Sequence, residues 1–89
     1  MKIFDTPFHG LKKIIEVTHY DKRGHFREIF KNNFFKNKKL IFCSVSNSKK
    51  NVIRGLHLQK KFQQDKLVAV IKGKIFDVVV DLRKKSKTY

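Results

Sequence analysis

The sequence predicts an all-β domain. Three observations carry that expectation: short runs rich in β-branched and aromatic residues, polar turns between them, and one long run of strict alternation. The alternating run is Lys74 to Leu82. It sets Phe76, Val78, Val80 and Leu82 on one face and Ile75, Asp77, Val79 and Asp81 on the other. Eighty-nine residues leave room for one small domain, taken as residues 1–89. A sandwich or a barrel is the expected architecture.

Leu11 to Thr18 reads as the first strand, closed by the turn His19-Tyr20-Asp21-Lys22-Arg23-Gly24, which holds Asp and Gly where a turn uses them. His25 to Phe30 reads as the second. Lys31 to Lys39 is a short helix or an irregular connection anchored by Phe34 and Phe35. Ile41 to Ser46 and Val52 to Gln59 follow as strands, parted by the polar turn Asn47 to Asn51. Lys66 to Ile71 and Lys74 to Leu82 pair as a hairpin around Lys72-Gly73. The expectation is at least five strands, and no helix longer than about three turns.

The net charge is +15 and the isoelectric point about 10.3, so a polyanion partner has to be weighed. The lysines are scattered singly or in pairs such as Lys12-Lys13, Lys49-Lys50 and Lys84-Lys85, with no solid basic block. Abundant Lys, Asn, Ile and Phe, one Pro and no Trp match what an AT-rich coding sequence would produce. A small basic β-domain that stacks bases on Phe26, Phe30, Phe34 and Phe35 remains as an alternative. The single cysteine, Cys43, lies in the apolar run Leu40 to Val45 and reads as a buried structural thiol in a reducing compartment. No apolar leader is present and no apolar run approaches membrane-spanning length, so a cytoplasmic chain without a membrane segment is expected.

The chemistry concentrates in Asn51-Val52-Ile53-Arg54-Gly55-Leu56-His57-Leu58-Gln59. Burying an unpaired charge costs several kcal/mol, so a cation and an imidazole inside an apolar strand point to a site. Arg54 and His57 are three apart and would face opposite ways in a regular strand; a bulge at Gly55 would turn both to one side. Two groups able to carry positive charge suit an anionic ligand, and Lys66 starts the next strand within reach. Asp77 lies on the mixed face of the last strand, which suits a cavity wall, although a half-exposed sheet face gives the same pattern. Together these place Arg54, His57, Lys66 and Asp77 around one cavity. His9, His19, His25 and His57 have no metal-ligand spacing, and no Gly-rich phosphate loop or nucleophile elbow is present.

Four segments in order carry a resemblance. Asp21-Lys22-Arg23-Gly24-His25-Phe26-Arg27-Glu28 comes first, then Arg54-Gly55-Leu56-His57-Leu58-Gln59, then Lys66-Leu67-Val68. Phe76-Asp77-Val78-Val79-Val80-Asp81-Leu82-Arg83 follows, with Ser86 and Thr88 beyond it. The chain resembles the dTDP-4-dehydrorhamnose 3,5-epimerase family over nearly its whole length. The resemblance implies a cupin-type jelly roll, here cut to its N-terminal half, that uses neither metal nor cofactor and binds a dTDP-4-keto-6-deoxyhexose. His57 would be the general base and Lys66 would stabilise the enolate oxygen. Arg54 would hold the diphosphate, with Gln59 and Asp77 also on the substrate. Arg23, Phe26 and Glu28 would enter the nucleotide site of a partner subunit through exchanged N-terminal strands, making a homodimer.

Two departures from the family are visible. The Gln-x-Asn pair that precedes the family's Arg-Gly-Leu-His motif is replaced by Phe42-Cys43-Ser44-Val45-Ser46. The family's tyrosine acid, and the aspartate that orients its base, would lie beyond Tyr89; neither Tyr20 nor Tyr89 takes the acid's place. The chain alone is therefore expected not to epimerise. A sugar 3,4-ketoisomerase or a sugar-binding cupin fits the same residues. Nucleic acid is the weaker reading, because it leaves Arg54 and His57 inside an apolar strand unexplained.

Overall fold

The computed structural model describes residues 1–35 and 37–89. Its regular elements are four short strands and one 3₁₀ turn: β1 (Lys2–Asp5), β2 (Lys12–Ile15), β3 (His19–Asp21), β4 (Gly24–Phe26) and the turn Asn32–Phe34. No α-helix occurs among the described residues, and the class is all-β as expected. Two units are distinguishable, residues 1–31 with 70–89, and residues 32–69. All four strands belong to the first.

β1 pairs antiparallel with β2, placing Lys2 opposite Ile15 and Asp5 opposite Lys12. The second pair closes with an ion pair, Lys12 donating to the Asp5 carboxylate. That ammonium holds the Asp5 carboxyl below its ordinary range. Thr6 organises the link between the strands. Its Oγ1 accepts from the Phe8 backbone N–H at 3.2 Å and reaches the Leu11 carbonyl at 2.9 Å as donor. A further bond from Leu11 N–H to the Phe8 carbonyl, 3.1 Å, closes the loop.

β3 and β4 form a tight antiparallel hairpin with Asp21 opposite Gly24 and only Lys22 and Arg23 between them. Asp21 builds this turn. Its Oδ1 accepts the Arg23 backbone N–H at 2.8 Å, the local bond that makes Asp a turn residue. Its Oδ2 takes the Arg23 guanidinium, with Nη2 at 2.7 Å, and this lowers the Asp21 pKa. Gly24 sits at φ 139°, inside the region that costs a side chain dearly. Tyr20 and His25 lie opposite each other, ring centres 5.8 Å apart and tilted by 48°.

The strand expectations need correction. The first expected strand, Leu11 to Thr18, shortens to β2, and the second, His25 to Phe30, to β4. The expected turn from His19 shrinks to two residues because His19, Tyr20 and Asp21 are themselves paired. β1 was not expected at all. Ile41 to Ser46, Val52 to Gln59, Lys66 to Ile71 and Lys74 to Leu82 belong to no strand ladder among the described residues, so four strands form instead of five or more. Only Gly73, at φ 86°, keeps the reversal expected around Lys72-Gly73. Lys36, in the connection expected over Lys31 to Lys39, lies outside the described residues. Phe34 and Phe35 are half-buried there.

The physical reason is the absence of a partner layer. A period-two run is stable as a strand only when its backbone is paired and its apolar face covered. No apolar side chain among the described residues is buried, and Ile53 and Phe76 are 93% and 95% exposed. Cys43, expected inside, is exposed as well.

The best-formed local structure is a clasp at residues 81–89. Asp81, only 8% exposed, accepts the Arg83 backbone N–H at 3.0 Å and its Nε at 2.8 Å on Oδ1. On Oδ2 it accepts Arg83 Nη2 at 3.0 Å and Thr88 Oγ1 at 2.5 Å. Ser86 and Thr88 hydroxyls lie 3.0 Å apart, and Ser86 N–H donates to the Arg83 carbonyl at 2.9 Å. The Arg83 guanidinium, then the Ser86 and Thr88 hydroxyls, hold the Asp81 carboxyl far below its usual range, and Asp81 in turn raises Arg83. A depressed native pKa means the clasp is at full strength above the ordinary carboxylate range. It is lost only as the pH falls through the much lower native value. Asp81→Asn turns an amide toward the guanidinium, and hydrogen exchange at the Arg83 and Ser86 amides is expected to quicken about tenfold. In the wild type the same amides should stay protected at a pH where free aspartate is already protonated.

Candidate active site

Of the expected site residues, Arg23, Phe26, Glu28 and Asp77 fall in the first unit and Arg54, His57, Gln59 and Lys66 in the second. The hairpin β3–β4 carries Arg23 and Phe26 of the first group. Arg23, His19, Tyr20 and Phe26 line an open recess of about 440 Å³. Phe26 also borders a second recess of about 140 Å³, with Glu28, Glu16, Lys31, Val17 and His19 around it. A cation, an aromatic face and a carboxylate therefore project from one short hairpin and the segment after it. Asp77 is exposed and makes no hydrogen bond or ion pair among the described residues.

In the second unit the irregularity expected at Gly55 is present. Gly55 adopts φ 103°, a conformation that L side chains rarely reach. His57 folds back over it, so that a Cβ added at Gly55 would lie 3.5 Å from both the His57 backbone nitrogen and Nδ1. That is ordinary contact, so the strain of a substitution would come from the backbone angle and not from crowding. Arg54 Nη2 donates to the Asn47 carbonyl at 2.9 Å, which tethers the motif to the polar turn before it. Arg54, His57, Gln59 and Lys66 are all exposed, and no hydrogen bond or ion pair among the described residues joins them. Near Lys66 the ion pair is made by its neighbour Asp65, 2.6 Å from Lys38.

Sequence reasoning missed Glu16 and Lys31. Lys31 Nζ lies 3.4 Å from Glu28 Oε2 and 3.7 Å from Glu16 Oε2. Glu16 sits between Ile15 and Val17, a carboxylate in an apolar run, the same anomaly that marks Arg54. Its side chain is only 11% exposed.

The dTDP-4-dehydrorhamnose 3,5-epimerase family model matches residues 5–89, a span that takes in every residue of both groups. The chain belongs to the dTDP-4-dehydrorhamnose 3,5-epimerase family. Proteins of that name from two organisms show the extent of the likeness. The one from Methanothermobacter thermautotrophicus is 48% identical across 85% of this chain and 44% of its own length. The one from Neisseria gonorrhoeae is 40% identical across all of this chain and 28% of its own. The chain thus spans less than half the length of these relatives. No solved structure matches it. The epimerase resemblance drawn from the four motifs is thereby a family membership.

Proposed function

We propose that this chain carries the substrate-binding and proton-abstracting part of a dTDP-4-dehydrorhamnose 3,5-epimerase, within a cupin-type jelly roll. The observation that carries the reading is the family match over residues 5–89, a span that includes Arg23 to Glu28, Arg54 to Gln59, Lys66 and Asp77. The substrate is a dTDP-linked 4-keto-6-deoxy sugar. Its C4 ketone acidifies the hydrogens on C3 and C5. An imidazole can take and return a proton near neutral pH, which suits His57 as the base. As the C–H bond breaks, its electron pair moves toward the C4 oxygen, and the Lys66 ammonium stabilises the resulting enolate. Return of a proton to the opposite face of that carbon completes the inversion.

Arg54 holds the diphosphate. Its guanidinium has five N–H donors, so the bond to Asn47 leaves others for phosphate oxygens. Arg23, Phe26 and Glu28 bind the nucleotide, with Gln59 and Asp77 on the sugar side. The exposed edges of β1 and β2 suit strand exchange in a homodimer, and the protein works in the cytoplasm. No helix among the described residues is long and apolar enough to cross a membrane. The test joins these 89 residues to the remainder of the M. thermautotrophicus relative. In D₂O with dTDP-4-keto-6-deoxyglucose the chimera should incorporate deuterium at C3 and C5 and form the epimerised sugar. His57→Asn should slow both by roughly 10²- to 10⁴-fold while dTDP binding persists. Equal exchange rates in the two would overturn the assignment of the base.

A further inference from the structure

We propose that Lys31, pinned by the largely buried Glu16, is a positioning residue that fixes the Glu28 carboxylate beside Phe26 for nucleotide recognition. The proposal rests on the nucleotide-binding reading of Glu28 given above. Its observations are separate from the family match.

Glu28 by itself is poorly held. It is half-exposed, and its one ion pair among the described residues is with Lys31, three residues on, at 3.4 Å. An exposed Glu–Lys pair holds two flexible side chains in place only weakly, because solvent screens it and chain entropy opposes it. The second carboxylate changes this. Glu16 Oε2 lies 3.7 Å from the same ammonium, and the Glu16 side chain is largely buried. A buried carboxylate without a counter-charge is strongly disfavoured. Glu16 Oε1 is buried and accepts no hydrogen bond among the described residues, and Lys31 is the cation that compensates Glu16 among them. The ammonium is therefore held from the buried side, and it holds Glu28 from the exposed side. Glu16, Lys31, Glu28 and Phe26 line one recess of about 140 Å³. A carboxylate fixed there offers an acceptor to a base N–H while the aromatic face packs on the ring.

The arrangement also explains two residues that no motif uses. Glu16 stands in an apolar run beside β2, and Lys31 is one lysine among many. Neither matters to the reading of the hairpin unless they act through Glu28.

The experiment titrates dTDP into the isotopically labelled chimera of these 89 residues with the remainder of the M. thermautotrophicus relative, and records side-chain carboxyl ¹³C resonances. Lys31→Met should displace the Glu16 and Glu28 carboxyl resonances and weaken dTDP binding about fivefold, the upper range for a partly exposed pair. Lys31→Arg should restore binding, and Glu16→Gln should weaken it as Lys31→Met does. In a Glu28→Gln background, Lys31→Met should have no further effect, a result that a merely structural role would not give. Equal affinity in wild type and Lys31→Met overturns the positioning role and leaves the nucleotide reading intact. So does an equal loss with and without Glu28. Absence of dTDP binding by the chimera without substitutions overturns the nucleotide reading and the positioning role together, whatever the carboxyl resonances do.

Discussion

Incubated alone with dTDP-4-keto-6-deoxyglucose in D₂O, the 89-residue chain is expected to release no 3,5-epimerised sugar. Two losses combine. General acid–base catalysis contributes roughly 10²- to 10⁴-fold for each positioned group, and the proposed mechanism assigns none of these 89 residues the second proton transfer. The proposed base is also poorly placed, since His57 is exposed and no hydrogen-bonded group among the described residues orients it. An imidazole that is not oriented loses most of its advantage over a free one in solution. Turnover by the lone chain should therefore fall at least 10⁴-fold below that of the chimera with the rest of the relative. Proton exchange at one carbon could survive at a low rate if Lys66 and His57 still meet a bound sugar. ¹H NMR of the sugar distinguishes the cases, because exchange without inversion replaces a proton by deuterium while the configuration stays unchanged. Full epimerisation by the 89 residues alone would refute the requirement for an external acid.

The second large effect concerns stability. Urea titration of the lone chain should show no cooperative step in the tyrosine near-ultraviolet signal, and a hydrophobic dye such as ANS should bind strongly. The chain exposes 9637 Å², whereas a folded globule of its mass exposes about 5,500 Å². A small folded domain shows a urea slope of about 1 kcal/mol/M or more, in proportion to the area it uncovers on unfolding. This chain has no buried apolar side chain among its described residues to uncover in one step. In the chimera the same runs, Ile41 to Ser46, Val52 to Gln59, Lys66 to Ile71 and Lys74 to Leu82, should become covered. Dye binding should fall and a cooperative transition appear. A sharp two-state transition in the lone chain would show that the exposed runs do not govern its stability.

What could be read from the residues divides along one physical line. Local chemistry was legible. Asp21 and Gly24 announced the β3–β4 reversal, because the Asx bond and the positive φ are set within four residues. Gly55 announced the irregularity beside His57 for the same reason. The family was legible from four motifs in order along the chain. Long-range pairing was not. Alternation in Lys74 to Leu82 records which faces a strand would present, but a ladder also needs a second strand, and none pairs there among the described residues. β1 was missed for the converse reason: Lys2 to Asp5 is too short and too polar to show a period. Glu16 and Lys31 were missed because fifteen residues separate them and only the fold brings them together.

The clasp between Asp81 and Thr88 has a kinetic consequence. Its defining bonds join residues no more than seven apart, so almost no chain has to be gathered before they can form. Loops of about ten residues close in roughly 10–100 ns, orders of magnitude faster than the non-local pairing of strands. The clasp therefore closes early and without waiting for any other part of the molecule. It fixes the exit of the Lys74 to Leu82 run before that run has found a neighbour, and so narrows the set of registers that any later strand has to search.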